Sequence, residues 1–215
     1  MTNPAEPRAA ATVMLLRDDP QGGVEVYLIQ RHHKSGFLGG AYAFPGGKVD
    51  DADREHPDAS RAAAVRETME EVGVTIEAED LVHSARWVTP EAEPRRFDAD
   101  FYAVRLPDGA EAAPADRESL RGAWFRPGAA VEAMRSGELF MAPPTLRSLE
   151  ILGEAADVDD ALARADASES PVVRPVMRMQ DGRLEILLPG DPDHDDPNPI
   201  MGGATRFTLV DRVWE

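Results

Sequence analysis

FPGGKVDDADREHPDASRAAAVRETMEEVGV, residues 44–74, is the stretch on which the reading of this chain turns. Its second half carries a helical pattern. On a wheel at about 100° per residue, Ala62, Val65, Met69 and Val72 fall in one apolar stripe. Glu67, Glu70 and Glu71 group on the opposite side at i, i+3 and i+4 spacing. Gly73 stands where a left-handed C-terminal cap is expected. Asp58 or Ser60 is placed to cap the start, with Pro57 just outside it. The spacing therefore predicts one short helix that buries one face and aims three carboxylates from the other.

Three carboxylates this close repel one another. At an effective dielectric of about 20, a pair about 4 Å apart costs about 4 kcal/mol. The helix offers only Arg61 and Arg66 against that repulsion. A hard divalent cation held by carboxylate oxygens relieves it better, and Mg²⁺ keeps waters and reaches for substrate phosphates. Upstream, a short apolar strand, Tyr42 to Phe44, runs into Pro45-Gly46-Gly47. Glycines there let backbone amides and carbonyls come close to a ligand. Glu-rich helix faces are most often merely solvated. The agreement of turn, helix and cap favours a site instead.

Arg66-Glu67-Thr68-Met69-Glu70-Glu71-Val72-Gly73-Val74 resembles the second half of the Nudix box, REUxEExGU, with Thr68 at one aliphatic position. Gly47 and Asp53 match the first half, G-x5-E, with Asp in place of Glu. Twelve residues, 54–65, then precede Arg66 where the family has seven, an insertion of five. The resemblance, over roughly residues 10–150, implies a Nudix fold: α+β, a mixed sheet sandwiched between helices. It implies a metal-dependent pyrophosphohydrolase, with Mg²⁺ or Mn²⁺ on Glu67, Glu70 and Glu71 and the Gly47 carbonyl as a further ligand. Glu70 and Glu71 would carry the chemistry, and Arg66 would hold the glutamates by ion pairing. Glu118, before Ala123-Trp124-Phe125, is a candidate to assist a metal or the catalytic water, with a surface Glu as the alternative.

The substrate expected is a small nucleotide-type diphosphate. The intact FPGG end and the insertion in the box are similar to coenzyme A-cleaving subgroups, so CoA or acyl-CoA is the first expectation. ADP-ribose, NADH and nucleoside triphosphates stay open. Gly46 and Gly47, Arg31 at the head of Arg31-His32-His33-Lys34, and Arg96 beside Arg95 are the candidate phosphate contacts. For both basic groups, an exposed strand end is the plain alternative. A non-catalytic nucleotide sensor of the same fold is disfavoured because all three helix acids are retained. An interaction protein using its acidic surface is a third possibility.

Composition bounds the rest. The chain has 215 residues, 42% of them hydrophobic, enough for one large domain or one domain with an extension. It has no cysteine, which removes disulfides, thiolate metal sites and thiol nucleophiles. The formal net charge of −17 argues against nucleic acid and against anionic membranes as partners. No apolar run approaches spanning length, and a cytoplasmic location is expected.

In order, residues 1–9 read as disordered and 10–153 as the Nudix domain. Residues 154–215 read as a helix plus β-hairpin extension packed on the core or across a homodimer, too small to hold a core alone. Strands are expected at 10–16, 24–30, 81–88, 97–106 and 207–214, and at a hairpin, 172–179 with 183–188, turning at Asp181-Gly182. Helices are expected at 127–136, 146–154 and 158–167, with Thr145 a possible cap for the second. The acidic run Asp191–Asp196 does not fit a calcium loop: prolines interrupt it, and the twelfth position is Gly202 rather than Glu.

Overall fold

The computed structural model describes residues 4–32, 38–114, 119–167 and 170–215. Alternation in the first strand sets the layers. In β1, Arg8–Asp18, residues Ala11, Val13 and Leu15 point to one face, and Met14 and Leu16 to the other. Both faces are apolar, as a strand covered on both sides requires. β1 lies at the centre of an eight-stranded mixed sheet ordered β3-β2-β1-β6-β5-β8, with β4 also paired to β1 and β7 to β2. These strands are β2 Val24–Arg31, β3 Tyr42–Ala43, β4 Gly46–Lys48, β5 Val82–Val88, β6 Phe97–Arg105, β7 Ser119–Phe125 and β8 Val172–Val173. β1 runs antiparallel to β2 and β4 and parallel to β6.

One face receives α1, Ala59–Val72. Ala63, Ala64 and Val72 pack there on Ala11, Val13, Leu15, Tyr27, Ile29, Tyr102 and Val104. The other face receives α2 Pro127–Arg135, α3 Pro143–Leu152 and α4 Val158–Ala167. It also receives a second, antiparallel sheet of β9 Val176–Gln180, β10 Arg183–Leu187, β11 Arg206–Val210 and β12 Val213–Trp214. Trp87 and Phe101 of the main sheet share this core with Ile186, Leu188, Phe207 and Trp214. The indole of Trp214 also donates to the Met141 carbonyl at 2.8 Å. The arrangement is the α+β sandwich of a mixed sheet between helices that the sequence implied. Among the described residues no helix is long and apolar enough to cross a membrane.

Four local expectations need correction. The buried face of α1 is Ala63, Ala64, Thr68 and Val72, while Met69 is 51% exposed. The stripe is therefore turned by about one residue, roughly 100°. Small side chains let the helix axis sit close to the sheet, and Thr68 tolerates burial because its hydroxyl donates to the Ala64 carbonyl at 2.7 Å. The acids consequently border the packed face instead of opposing it. Second, α3 starts at Pro143, with Ala142 as its N-cap and no side-chain cap bond, and Thr145 lies buried inside the helix. Third, the final strand is a hairpin, β11 and β12, turned by Asp211 and Arg212 at positive φ. No Gly marks that turn, so nothing in the sequence announced it. Fourth, β8 leaves the expected hairpin and joins the main sheet beside β5, parallel to it.

β4 fixes where α1 meets the sheet. Thr12 is opposite Gly46, and Ala11 opposite Gly47. Gly46 has φ +150, and a Cβ there would lie 2.3 Å from the Ala11 carbonyl oxygen, which is backbone and cannot step aside. The substitution Gly46→Ala should lower the melting temperature by about 8 °C or more, from a cost of about 3 kcal/mol. Calorimetry in the presence of a chelator checks this, and an unchanged transition would mean that β4 does not lie flush on β1.

Candidate active site

The site is built from the first and last turns of the 44–74 stretch. α1 opens on Asp58, whose carboxylate accepts from the Arg61 amide, and closes on Gly73 in the left-handed region, whose amide donates to the Met69 carbonyl. Between those caps, Glu67 and Glu71 turn toward β4. The Gly46 amide donates to Glu71 Oε2 at 2.8 Å. Glu67 packs so tightly on Gly47 that a Cβ at that position would meet its Oε1 at 2.3 Å. The first glycine is thus required by backbone, whereas a side chain at the second would displace the Glu67 carboxylate from its seat. Glu70 stands further out, its side chain 58% exposed.

Arg66 gathers these groups. Its Nε and Nη2 fork onto Asp53 at 3.1 and 2.9 Å. Nη2 also donates to the Lys48 carbonyl at 2.9 Å. Nη1 donates to Glu67 Oε1 and to Glu70 Oε2, each at 2.9 Å. Asp53 sits on a 3₁₀ turn, Asp53–Glu55, inside the inserted loop, and only 4% of it is exposed. Its Oδ2 accepts from the Asp50 amide as well. The loop therefore folds its one buried acid inward onto Arg66, and Asp fills the place where the box has Glu.

The electrostatics follow from burial. The Arg66 guanidinium holds the Asp53 carboxyl below the ordinary carboxylate range, against the opposing effect of desolvation. Arg66 itself is pushed up, first by Asp53. Glu67 moves the other way. Burial raises its pKa, Arg66 pulls it back in part, and Glu70 and Asp50 push it up further. A carboxylate crowded by other acids and removed from water is stabilised by added positive charge.

This donor set fits a hard divalent cation in kind: three carboxylates beside a glycine backbone, all oxygen ligands. It is not a closed cage. Among the described residues no three acids or histidines converge closely enough to form one. Two surface hollows, one lined by Gln180, Asp181, Arg183, Glu185 and Thr208, the other by Arg17, Leu106, Ala110, Glu111, Ala112 and Trp124, involve none of the box residues.

The other candidates are scattered. Arg31 is exposed at the end of β2, in register with Ser119 of β7. Arg96 is committed to backbone, donating to the Thr89 carbonyl at 3.1 Å and the Ala5 carbonyl at 2.8 Å. Glu118, His33 and Lys34 lie outside the described residues. Sequence reasoning missed the partner of Asp53, although its place in the box was the available signal. It also missed a tether at the start of α1. The Ser60 hydroxyl donates to Asp100 Oδ2 at 2.7 Å, and His83 Nε2 lies 3.0 Å from Asp100 Oδ1. That tether joins the start of α1 to the paired strands β5 and β6, and no local pattern marks it.

Comparison with known proteins bears on this geometry. The family model described as NUDIX domain matches residues 6–145, well over half of the chain. A Caenorhabditis elegans protein provisionally named nudix hydrolase 7 is 24% identical over 241 residues, covering 96% of this chain and 80% of its own. The crystal structure of a NUDIX hydrolase from Alicyclobacillus acidocaldarius is similar at a TM-score of 0.67 and 25% identity, over 74% of this chain and 96% of the other. A MutT NUDIX hydrolase from Burkholderia pseudomallei shares the fold at a TM-score of 0.51 and 22% identity, over 68% of this chain and 98% of the other.

The Asp53–Arg66 pair gives a pH signature. A carboxylate whose folded pKa is depressed contributes stability above its unfolded pKa, and that stability is lost as pH falls through the folded value. For Asp53 the model-peptide reference is 3.8. The substitution Asp53→Asn should cost about 3 kcal/mol above about pH 5. The gap to wild type should then close as pH drops from about 4 toward 2. Urea unfolding across that range measures it, and a gap that stays constant would remove the ion pair from the account.

Proposed function

The chain belongs to the Nudix hydrolases, enzymes that cleave pyrophosphate bonds, and from that premise we propose a divalent-metal-dependent pyrophosphohydrolase whose site is Gly46–Gly47 with Glu67, Glu70 and Glu71. The observation that supports it most is the seating of Glu67 on Gly47 and of Glu71 on the Gly46 amide. It puts acids and a close-approach backbone on one spot, which a merely solvated helix face would not need.

In this reading Glu67, Glu70, Glu71 and the Gly47 carbonyl hold Mg²⁺ or Mn²⁺. The ion, when bound, neutralises the diphosphate and lowers the pKa of water. Asp53 and the Lys48 carbonyl hold Arg66, and Arg66 in turn fixes the acids of α1. Glu118 remains the candidate for handling the proton of the attacking water. Gly46 and Gly47 carry no side chain of their own, so the backbone there is approached by the acids that would hold the ion, Glu67 and Glu71, and the diphosphate would bind beside them. Arg31, exposed at the strand end, supplies a cation for a substrate phosphate. Arg96 is a weaker candidate, since carbonyls already take its guanidinium.

For substrate we propose a nucleoside diphosphate linked to a second moiety, CoA or acyl-CoA first. The FPGG end and the insertion in the box support that class. We read residues 10–153 as the catalytic domain and 154–215 as an extension whose second sheet covers the face opposite α1.

A panel of CoA, acyl-CoA, ADP-ribose, NADH and nucleoside triphosphates, run with Mg²⁺ or Mn²⁺ and read by mass spectrometry, tests the substrate. Cleavage of CoA at its diphosphate to phosphopantetheine and adenosine 3′,5′-bisphosphate is expected. Turnover of another member with CoA untouched would overturn the substrate class. For the site, Glu70→Gln or Glu71→Gln should each cut turnover at least about a hundredfold while the melting temperature without metal barely moves. Equal loss of fold and activity would make the helix acids structural.

A further inference from the structure

Arg66 is surrounded by five oxygen acceptors from four residues: both oxygens of Asp53, the Lys48 carbonyl, Glu67 Oε1 and Glu70 Oε2. The two ends of the guanidinium are held unequally. Nε and Nη2 fork onto Asp53, whose side chain is 5% exposed. A buried, forked ion pair is strong and costly to break. Nη1 is shared between two acids of α1, Glu67 with its side chain 15% exposed and Glu70 with 58%, so only the Glu70 contact lies largely in solvent. Exposed pairs of that kind contribute little and exchange readily. The two-point fork on Asp53 is therefore the anchor, and Nη1, which makes a single bond to each of two acids, is the end that can be exchanged.

Resting on the metal reading above, we propose that Arg66 Nη1 is a built-in counter-cation that competes with the divalent ion for Glu67 and Glu70, and so weakens metal affinity while remaining anchored on Asp53. Nη1 takes one oxygen of each acid, Glu67 Oε1 and Glu70 Oε2, from the set of carboxylate oxygens that a hard cation would draw on. One nitrogen bonded to both acids also sets a positive charge against any ion placed between them. Metal loading then exchanges the Nη1 contacts and leaves the Nε and Nη2 fork in place. An arginine that only orients the acids would act with the opposite sign, because its removal would let them scatter and would weaken binding.

Calorimetric titration of the full chain with Mn²⁺ alone, without substrate, separates the two. The proteins are the wild type, Arg66→Met, and Arg66→Met combined with Asp53→Asn. The double variant removes the buried carboxylate that the single change would leave unpaired, and melting in chelator confirms that each variant is folded. Either folded variant should bind Mn²⁺ at least about fivefold more tightly than wild type. Equal or weaker binding in a folded variant overturns the inference. Absence of Mn²⁺ binding by the wild type overturns the metal reading beneath it.

Discussion

The contact on which the rest of this structure depends is the seating of α1 on β4. Two glycines make it possible, for different reasons. Gly46 lies against the backbone of β1, and Gly47 lies against the carboxylate of Glu67. The small face of α1, with Ala63 and Ala64 fully buried, completes the close approach from the helix side. Burial of large side chains would stabilise the fold more per residue, but it would hold the helix away from the strand. The acids would then lose the backbone they rest on.

That close approach creates an electrostatic problem which the chain answers with Arg66. Burial raises the pKa of Glu67, and Glu70 and Asp50 worsen its surroundings. Arg66 offsets this by spreading one delocalised charge over Asp53, Glu67 and Glu70. Its planar fork is what allows this, since an ammonium group is a single point charge. The inserted loop supplies the buried acid and Lys48 of β4 the carbonyl that hold the fork. The insertion thus lengthens the path to α1 without displacing the group that orients it.

Much of this was legible in residues 44–74. Local signals were reliable where the chemistry is local: the Asp58 cap, the Gly73 cap and the Asp181-Gly182 turn. The rotation of α1 was misread because Val65 and Met69 look more apolar than Ala63, Ala64 and Thr68. Hydrophobicity does not report that a helix needs a thin face, or that a threonine can satisfy its own hydroxyl. The β11–β12 hairpin was missed because Asp211 and Arg212 take positive φ where glycine is expected. The Ser60–Asp100–His83 tether was illegible for a different reason: its members meet only after the sheet has formed. The same limit applies to one of the two partners of Arg96, the Ala5 carbonyl, which comes from the far N-terminal segment.

The central claim is that Glu67, Glu70 and Glu71 hold the cation that carries the diphosphate. Anomalous diffraction from crystals soaked in Mn²⁺ with a non-hydrolysable diphosphate tests it most directly. The account predicts a manganese peak bonded at about 2.0–2.3 Å to carboxylate oxygens of these residues, with the diphosphate bound to the same ion beside Gly46–Gly47. A peak elsewhere on the acidic surface, with these carboxylates still engaged by Arg66 and the Gly46 amide, would contradict it.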